Sequence, residues 1–439
     1  MPSRNPEGSD SEPPVADSPS GRPAESDLIY DWNQAPRIDP RSRWIELDDE
    51  TLRDGLQSPS AKSPSIEDKL EIVHFMHDLG IDGADIGLPA AGRHVFEDVL
   101  RIAREIVDQK LAVVPNCAAR TVVADCEPIV EISQRVGIPV EVAAFIGSSP
   151  IRQYAEEWDV DRLVRLTHEA VSYCTRNDLP VMYVTEDTTR AKPDDLRRLY
   201  SAAIEAGARR ICVADTVGHA TPEGAAAVVR FVRKVVAESG EDVKVDWHGH
   251  RDRGLDVANA LAAVEAGADR LHGTCLGIGE RVGNTPIDLL LVNLELLGWS
   301  NRDLTRLSEY CHKVHQCTGV PFPDNYPVVG GDAFRTGTGV HAAAIIKARE
   351  KGDDWLADRV YSSVPASMVG ANQIIEVGPM CGLSNVVHWL QERGIEADEE
   401  LVQRIFAAAK DAASVLAEDE ILALVTKHEA RGSLPQTVT

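Results

Sequence analysis

The chain has no apolar run near the roughly 18 residues that span a bilayer, and no apolar core at its N-terminus that would make a secretory signal. It also has no excess of basic residues: 45 Lys and Arg stand against 70 Asp and Glu, a net charge of −25. A surface of that sign offers no footprint for nucleic acid or anionic lipid, so an anionic ligand would need a local basic pocket. No CxxC occurs among the eight cysteines, which are scattered as single thiols suited to a reducing cytoplasm. No GxGxxG follows the first strand-like segment, which argues against a dinucleotide-binding sheet. The expectation is a cytoplasmic enzyme acting on small molecules, with no membrane or nucleic-acid partner.

What is present falls into three zones. Residues 1–40 are rich in Pro, Ser, Gly and acids and cannot bury enough apolar surface to offset ordering, so they are expected to be a disordered tail. From 41 to 300, short apolar segments alternate with longer amphipathic ones. The strand-like segments are Trp44–Leu47, Gly83–Gly87, Ala112–Pro115, Val140–Ile146, Val181–Val184, Arg210–Val213, Val243–Trp247 and Arg270–Gly273. Helical patterns lie between them, several with a Gly stop such as Leu79-Gly80, Ala206-Gly207 and Ala266-Gly267. Eight strand–helix units predict an α/β fold, a (β/α)8 TIM barrel; a doubly wound open sheet is the alternative. From 301 to 439 the pattern turns helical, with segments at Asp303–Thr318, Val340–Lys351, Asn385–Glu392 and Glu399–Ala417. This predicts a linker and a helical C-terminal subdomain that can cover its own barrel mouth or a partner's.

Chemistry-bearing residues gather where these strands end. Asp49, Arg53 and Asp54 follow the first, Asp85 the second, and Asn116 and Arg120 the third. Ser148 and Ser149, Glu186 and Asp187, and Asp215 and Thr216 follow the next three; His248-Gly249-His250 and then Thr274-Cys275 close the series. A barrel carries all its strand C-termini to one rim, where active sites of this fold lie. His248 and His250 are two apart on a strand and project to one side, as half of a divalent-metal site. An isolated HxH is more often two solvent-facing histidines; the rest of the rim changes that balance. Asp54 adds a hard oxygen ligand, giving a mixed set suited to Mg²⁺, Mn²⁺ or Zn²⁺. Arg53 can stabilise developing negative charge, or can form a salt bridge to Asp49 or Asp54. The loop Gly277-Ile278-Gly279-Glu280-Arg281-Val282-Gly283-Asn284 permits close ligand approach, and Asn284 can add a neutral oxygen. Glu186 suits a general base and Thr216 a carboxylate donor; both can instead hold loops. His341 opens a helix of the appendage, where acid–base work and a structural role are both open to it.

Taken together, Leu52-Arg53-Asp54-Gly55-Leu56-Gln57, His248-Gly249-His250 and the Gly277–Asn284 loop resemble the DRE-TIM metallolyase superfamily. The loop is similar to that of its Claisen-condensing branch, the 2-isopropylmalate, homocitrate and citramalate synthases. The resemblance implies a divalent metal on Asp54, His248 and His250 with Asn284 nearby, and acetyl-CoA as cosubstrate. It implies Arg53, Glu186 and His341 as catalytic residues, with Gln57 and Thr216 on the 2-oxo acid. Gly277, Gly279, Glu280 and Arg281 would form the loop toward CoA, and the enzyme would be a homodimer. The lyase branch carries a catalytic Cys ahead of a different loop; Cys275 is read as lying on the strand. Departures also stand out. Arg251 replaces the usual Asn after HxH, Ala143 a pocket His, and Asp85 and Leu88 the Glu and Phe of the second strand. With Arg152 near the rim, these suggest a 2-oxo acid bearing a second anionic group, held by Arg152 or Arg251. A carbon–carbon lyase and a non-catalytic binding barrel are the alternatives.

Overall fold

The computed structural model describes residues 44–432, so the expected tail lies outside the described residues. The eight strands are β1 (Glu46–Asp49), β2 (Gly83–Asp85), β3 (Val114–Arg120), β4 (Glu141–Gly147), β5 (Val181–Glu186), β6 (Arg210–Asp215), β7 (Lys244–Gly249) and β8 (Arg270–Gly273). They pair in parallel and in order, and β8 returns to β1 with Arg270 opposite Glu46. The closed barrel excludes the open-sheet alternative. Every expected strand exists, although β3 runs further than its apolar residues suggest. Asn116 is therefore inside β3 rather than beyond it, and its amide donates to Asp48 Oδ1 across 2.7 Å within the barrel. Apolarity stopped at Pro115 because the next inward position, Asn116, is polar.

Local chemistry sets the helices between the strands. Ser65, Asp159 and Thr221 cap Ile66–Asp78, Val160–Arg176 and Pro222–Ser239 by accepting from backbone N–H groups three residues on. Gly207 and Gly267 follow two helix ends with φ of 109° and 112°, a region where a Cβ is strained. The barrel's apolar core lies mainly between the strands and these helices.

Toward the strand N-termini, the barrel interior is ionic. Arg270 donates to Asp246 Oδ2 at 2.7 Å and to Glu141 Oε2 at 2.8 Å. Arg210 reaches Asp246 Oδ1 at 2.8 Å and Glu46 Oε2 at 2.6 Å. Asp246 is fully buried, and Arg270 is 3% exposed. Burial opposes ionisation of Asp246, but the charges of Arg270 and Arg210 overcome it and hold the carboxyl well below the usual range.

The barrel core continues past residue 300. Leu307, Tyr310, Cys311 and Val314 of the helix Leu307–Thr318 belong to it, and the Tyr310 hydroxyl donates to Asp49 Oδ2 at 2.6 Å. Later helices, Leu383–Glu392, Glu399–Asp411 and Glu418–Gly432, share a second cluster that includes Trp389, Leu390 and Ile405. The expected single helix Glu399–Ala417 is broken: Ala412 is extended at ψ 150°. Its continuation lies beside another segment, where Leu416 N–H donates to Val377 O at 2.8 Å.

Replacing Arg270 by Leu leaves the buried carboxylates of Asp246 and Glu141 with only Arg210 as counter-charge. The expected loss is about 3–5 kcal/mol of stability, read from the urea midpoint against the native chain.

Candidate active site

After β1 the chain turns back on itself. The amides of Arg53 and Gly55 both donate to Glu50 O, at 3.1 and 3.0 Å. The turn lets Glu50, Arg53 and Asp54 all line one cavity at the strand C-termini. From β7, His248 and His250 line the same cavity with their ring centroids 5.1 Å apart. Asp54 Oδ2 is 3.5 Å from His248 Nε2 and 3.8 Å from His250 Nε2. Asn284 lies alongside, bridged to His250 through the backbone. Its amide nitrogen donates to Ile278 O at 3.1 Å, so Oδ1 is the free end. That oxygen and His250 Nδ1 are buried without a hydrogen-bond partner, which is costly unless something else binds there. Asp54, His248 and His250 bring their ligand atoms within 4.8 Å of one another, and two imidazoles, a carboxylate and an amide oxygen are a donor set that a divalent metal accepts. Burial, and then His248, push His250 down to about 4, which keeps its ring neutral as a ligand must be.

Arg53 is pinned from three sides. Its Nε is 2.6 Å from Asp85 Oδ2, Nη2 is 3.1 Å from Glu50 Oε2, and Nη1 is 3.4 Å from Asp54 Oδ2. The salt-bridge partner expected at Asp49 is not used, because Tyr310 and the Thr51 amide hold that carboxyl. Burial pushes Asp85 up to about 7 against the pull of Arg53. Glu186 ends β5 on the cavity wall and is also raised, chiefly by burial. The Thr216 hydroxyl accepts from Asp187 N–H at 2.8 Å, which leaves its own proton free to donate into the cavity.

The loop after β8 depends on its glycines. A Cβ on Gly283, at φ 101°, would lie 1.8 Å from Gly277 O; one on Gly279 would lie 2.2 Å from Asn284 Nδ2. Glu280 lines the cavity. Arg281 instead turns to Asp252, at 2.8 and 2.9 Å, and donates to Thr216 O at 2.7 Å. Gln57 is exposed at the cavity edge.

The cavity encloses about 770 Å³, counted out to its open mouth. Its walls differ in kind. β1, β7 and β8 and their loops supply charged and imidazole groups, while β3 to β6 supply Ala118, Ala143, Phe145, Met182, Val184, Cys212 and Ala214, joined by Leu88, with Glu186 and Thr216 polar at the ends of β5 and β6. Period-two alternation explains these pairs: 143 and 145, 182 and 184, 212 and 214 each share a face.

Besides Arg281, the expected site residues Arg152, Arg251 and His341 do not line this cavity. Arg152 pairs with Glu156 at 3.0 Å. The charge of Arg251 acts on Asp256 and Asp288, and its Nη1 fills the space where a Cβ on Gly277 would sit. His341 is exposed in the first turn of Gly339–Glu350, stacked on Tyr361 with centroids 4.0 Å apart. Nor is Cys275 on the strand: it opens a 3-10 turn, and its Sγ faces Cys311 Sγ at 3.7 Å away from the cavity. Three residues at or beside the cavity had no signal in the motifs. Glu50 and His272 line the cavity and Asp246 lies beside them; all three share inward faces of β1, β8 and β7, which alternation alone could have revealed.

The HMGL-like family profile matches residues 44–314, the barrel with the helix that seals it. This chain belongs to the HMGL-like family. Among relatives of this HMGL-like chain, a protein of Methanopyrus kandleri named homocitrate synthase AksA is 33% identical over 386 residues, covering 86% of this chain and 91% of the relative. A 2-isopropylmalate synthase of Pyrococcus abyssi is 32% identical over 378 residues, covering 84% and 74%. In solved structures, the HMG-CoA lyase of Bacillus subtilis superposes with a TM-score of 0.54 at 18% identity, covering 64% of this chain and 96% of that one. At that identity the HMGL-like chain shares the lyase's fold alone. No helix among the described residues is long and apolar enough to cross a membrane.

Proposed function

We propose that this chain condenses acetyl-CoA with a 2-oxo acid whose side chain is uncharged, and that water then cleaves the thioester C–S bond to release CoA and the product carboxylate. The observation that carries this reading is the two-sided cavity, with a metal-ligand and guanidinium wall facing an apolar one. Relatives named as homocitrate and 2-isopropylmalate synthases support the reaction class. The residues are assigned as follows. Asp54, His248, His250 and Asn284 would hold a divalent cation such as Mg²⁺, Mn²⁺ or Zn²⁺. When bound, that cation supplies Lewis acidity and a template for the 2-oxo acid. Arg53, fixed by Asp85 and Glu50, holds a positive charge where negative charge develops on the substrate oxygen. The Thr216 hydroxyl donates to the substrate carboxylate. Glu186 takes the methyl proton of acetyl-CoA. Glu280 and the glycines of its loop flank the thioester. The substrate side chain then rests on Ala143, Met182 and Cys212. No cationic side chain lines that wall; Arg152, paired with Glu156 at the rim, acts on Glu186 and not on Ala143, Met182 or Cys212, so an uncharged side chain suits the wall best.

A homodimer is the proposed assembly, with His341 acting at a partner's barrel. Its own cavity does not include it, and Val340 and Met380 near it are 72% and 71% exposed.

Thiol release from acetyl-CoA, measured with Mg²⁺ or Mn²⁺ across a panel of 2-oxo acids, should favour branched or aliphatic acids over 2-oxoglutarate and oxaloacetate. Ala143→Leu should then cost bulky acids about 10–200-fold in kcat/KM while sparing pyruvate. Preference for a dicarboxylic acid would reverse the substrate assignment, and no thiol release with any acid would reject the reaction. For Glu186, the base must be ionised, so kcat/KM should fall as pH drops through a point above the ordinary carboxylate range. That limb should vanish, at much lower rate, in Glu186→Gln. Mixing inactive Arg53→Ala and His341→Ala homodimers should regenerate activity through subunit exchange; failure to do so in confirmed heterodimers rejects the trans arrangement.

A further inference from the structure

Behind His248 lies a run of buried groups of which only Glu50 has been given a role in the site so far, as a partner of Arg53. His248 Nδ1 is 3.0 Å from Glu50 Oε2. The other oxygen, Glu50 Oε1, is 2.8 Å from His272 Nδ1, and His272 Nε2 is 3.0 Å from Asp246 Oδ2. Asp246 is anchored in turn by Arg270 and Arg210 at 2.7 and 2.8 Å. None of Glu50, His272 and Asp246 is more than 3% exposed.

We propose that Glu50, His272 and Asp246 are positioning residues that fix the ring of His248 for metal binding; the inference rests on the metal site proposed above. Glu50 Oε2 has no aligned hydrogen bond in this structure; in the proposed arrangement it draws the proton to Nδ1 across this 3.0 Å contact. Nε2 is then the bare nitrogen, and it points toward Asp54 Oδ2, 3.5 Å away. A carboxylate that orients a ligand histidine must itself be held, and Glu50 is held on its far side by His272. His272 has only two nitrogens, and both are engaged by carboxylates. The same saturation argues against a second cation between Glu50, His248 and His272, although their ligand atoms lie within 4.8 Å of one another. The chain thus ties the orientation of a ligand at the rim to the ionic floor of the barrel.

The test is Mn²⁺ affinity, measured by calorimetry on the intact apo protein. His272→Ala and Glu50→Gln should each weaken Mn²⁺ binding by about 10–100-fold. Saturating Mn²⁺ should return kcat of the His272 variant to within a few-fold of the native value. His272 lines the open cavity, so added imidazole should restore the lost affinity in His272→Ala. His272→Gln, which keeps a donor for Glu50, should fall between the two. Native Mn²⁺ affinity in folded His272→Ala and Glu50→Gln overturns the proposal. If His272→Ala does not fold, Asp246→Asn carries the same test, and native affinity there overturns it. Asp54→Ala separates the two levels. Full Mn²⁺ binding by that variant rejects the metal site itself, whereas loss in Asp54→Ala with native binding in the other variants rejects only the positioning chain.

Discussion

Arg270 is desolvated between Asp246 and Glu141, and the inner face of the barrel is organised around that contact. A guanidinium with no water must be matched charge for charge, or the cost of burial is unrecovered. Two arginines and the acids of β1, β4 and β7 meet that condition together. Ion pairs of this kind add little net stability compared with a packed apolar plug, but they demand one geometry. Here the demanded geometry is that of β7 and β8, the strands that carry His248, His250 and His272.

The barrel was legible because its signals are local and repeated. Eight short apolar segments, the intervening amphipathic stretches and the Gly stops each depend on a few neighbouring residues. The metal-ligand candidates were legible for the same reason, since His248 and His250 are two apart and Asp54 lies within a short motif. Asn116 illustrates the limit: a polar residue on an inward face reads as a loop when burial is inferred from apolarity. Glu50, His272 and Asp246 were passed over because their partners are distant in sequence: Glu50 and His272 are 222 residues apart. Arg152 and Arg251, expected as substrate groups, do not line the cavity. Both follow strand ends, but their guanidinium groups are directed to Glu156 in one case and act on Asp256 and Asp288 in the other. Position on a rim does not fix where a long side chain points.

The division of the cavity into two walls follows from the order of strands around the barrel. β7, β8 and β1 are neighbours, as are β3 to β6, so groups contributed by adjacent strands fall on one side. Binding of a polar head and discrimination of a side chain are thereby assigned to different parts of the chain. Ala143 can change without touching Asp54 or His248, whereas Met182 Sδ accepts from Arg270 at 3.0 Å and so touches the ionic floor.

Arg281 has a bearing on how such a chain can vary over time. Its guanidinium joins the loop after β8 to Asp252 beyond β7 and to the backbone of Thr216 beyond β6. These three loops are therefore one mechanical piece. An insertion in any of them would displace the Thr216 hydroxyl or the Asn284 amide, so their lengths are free to change only in concert.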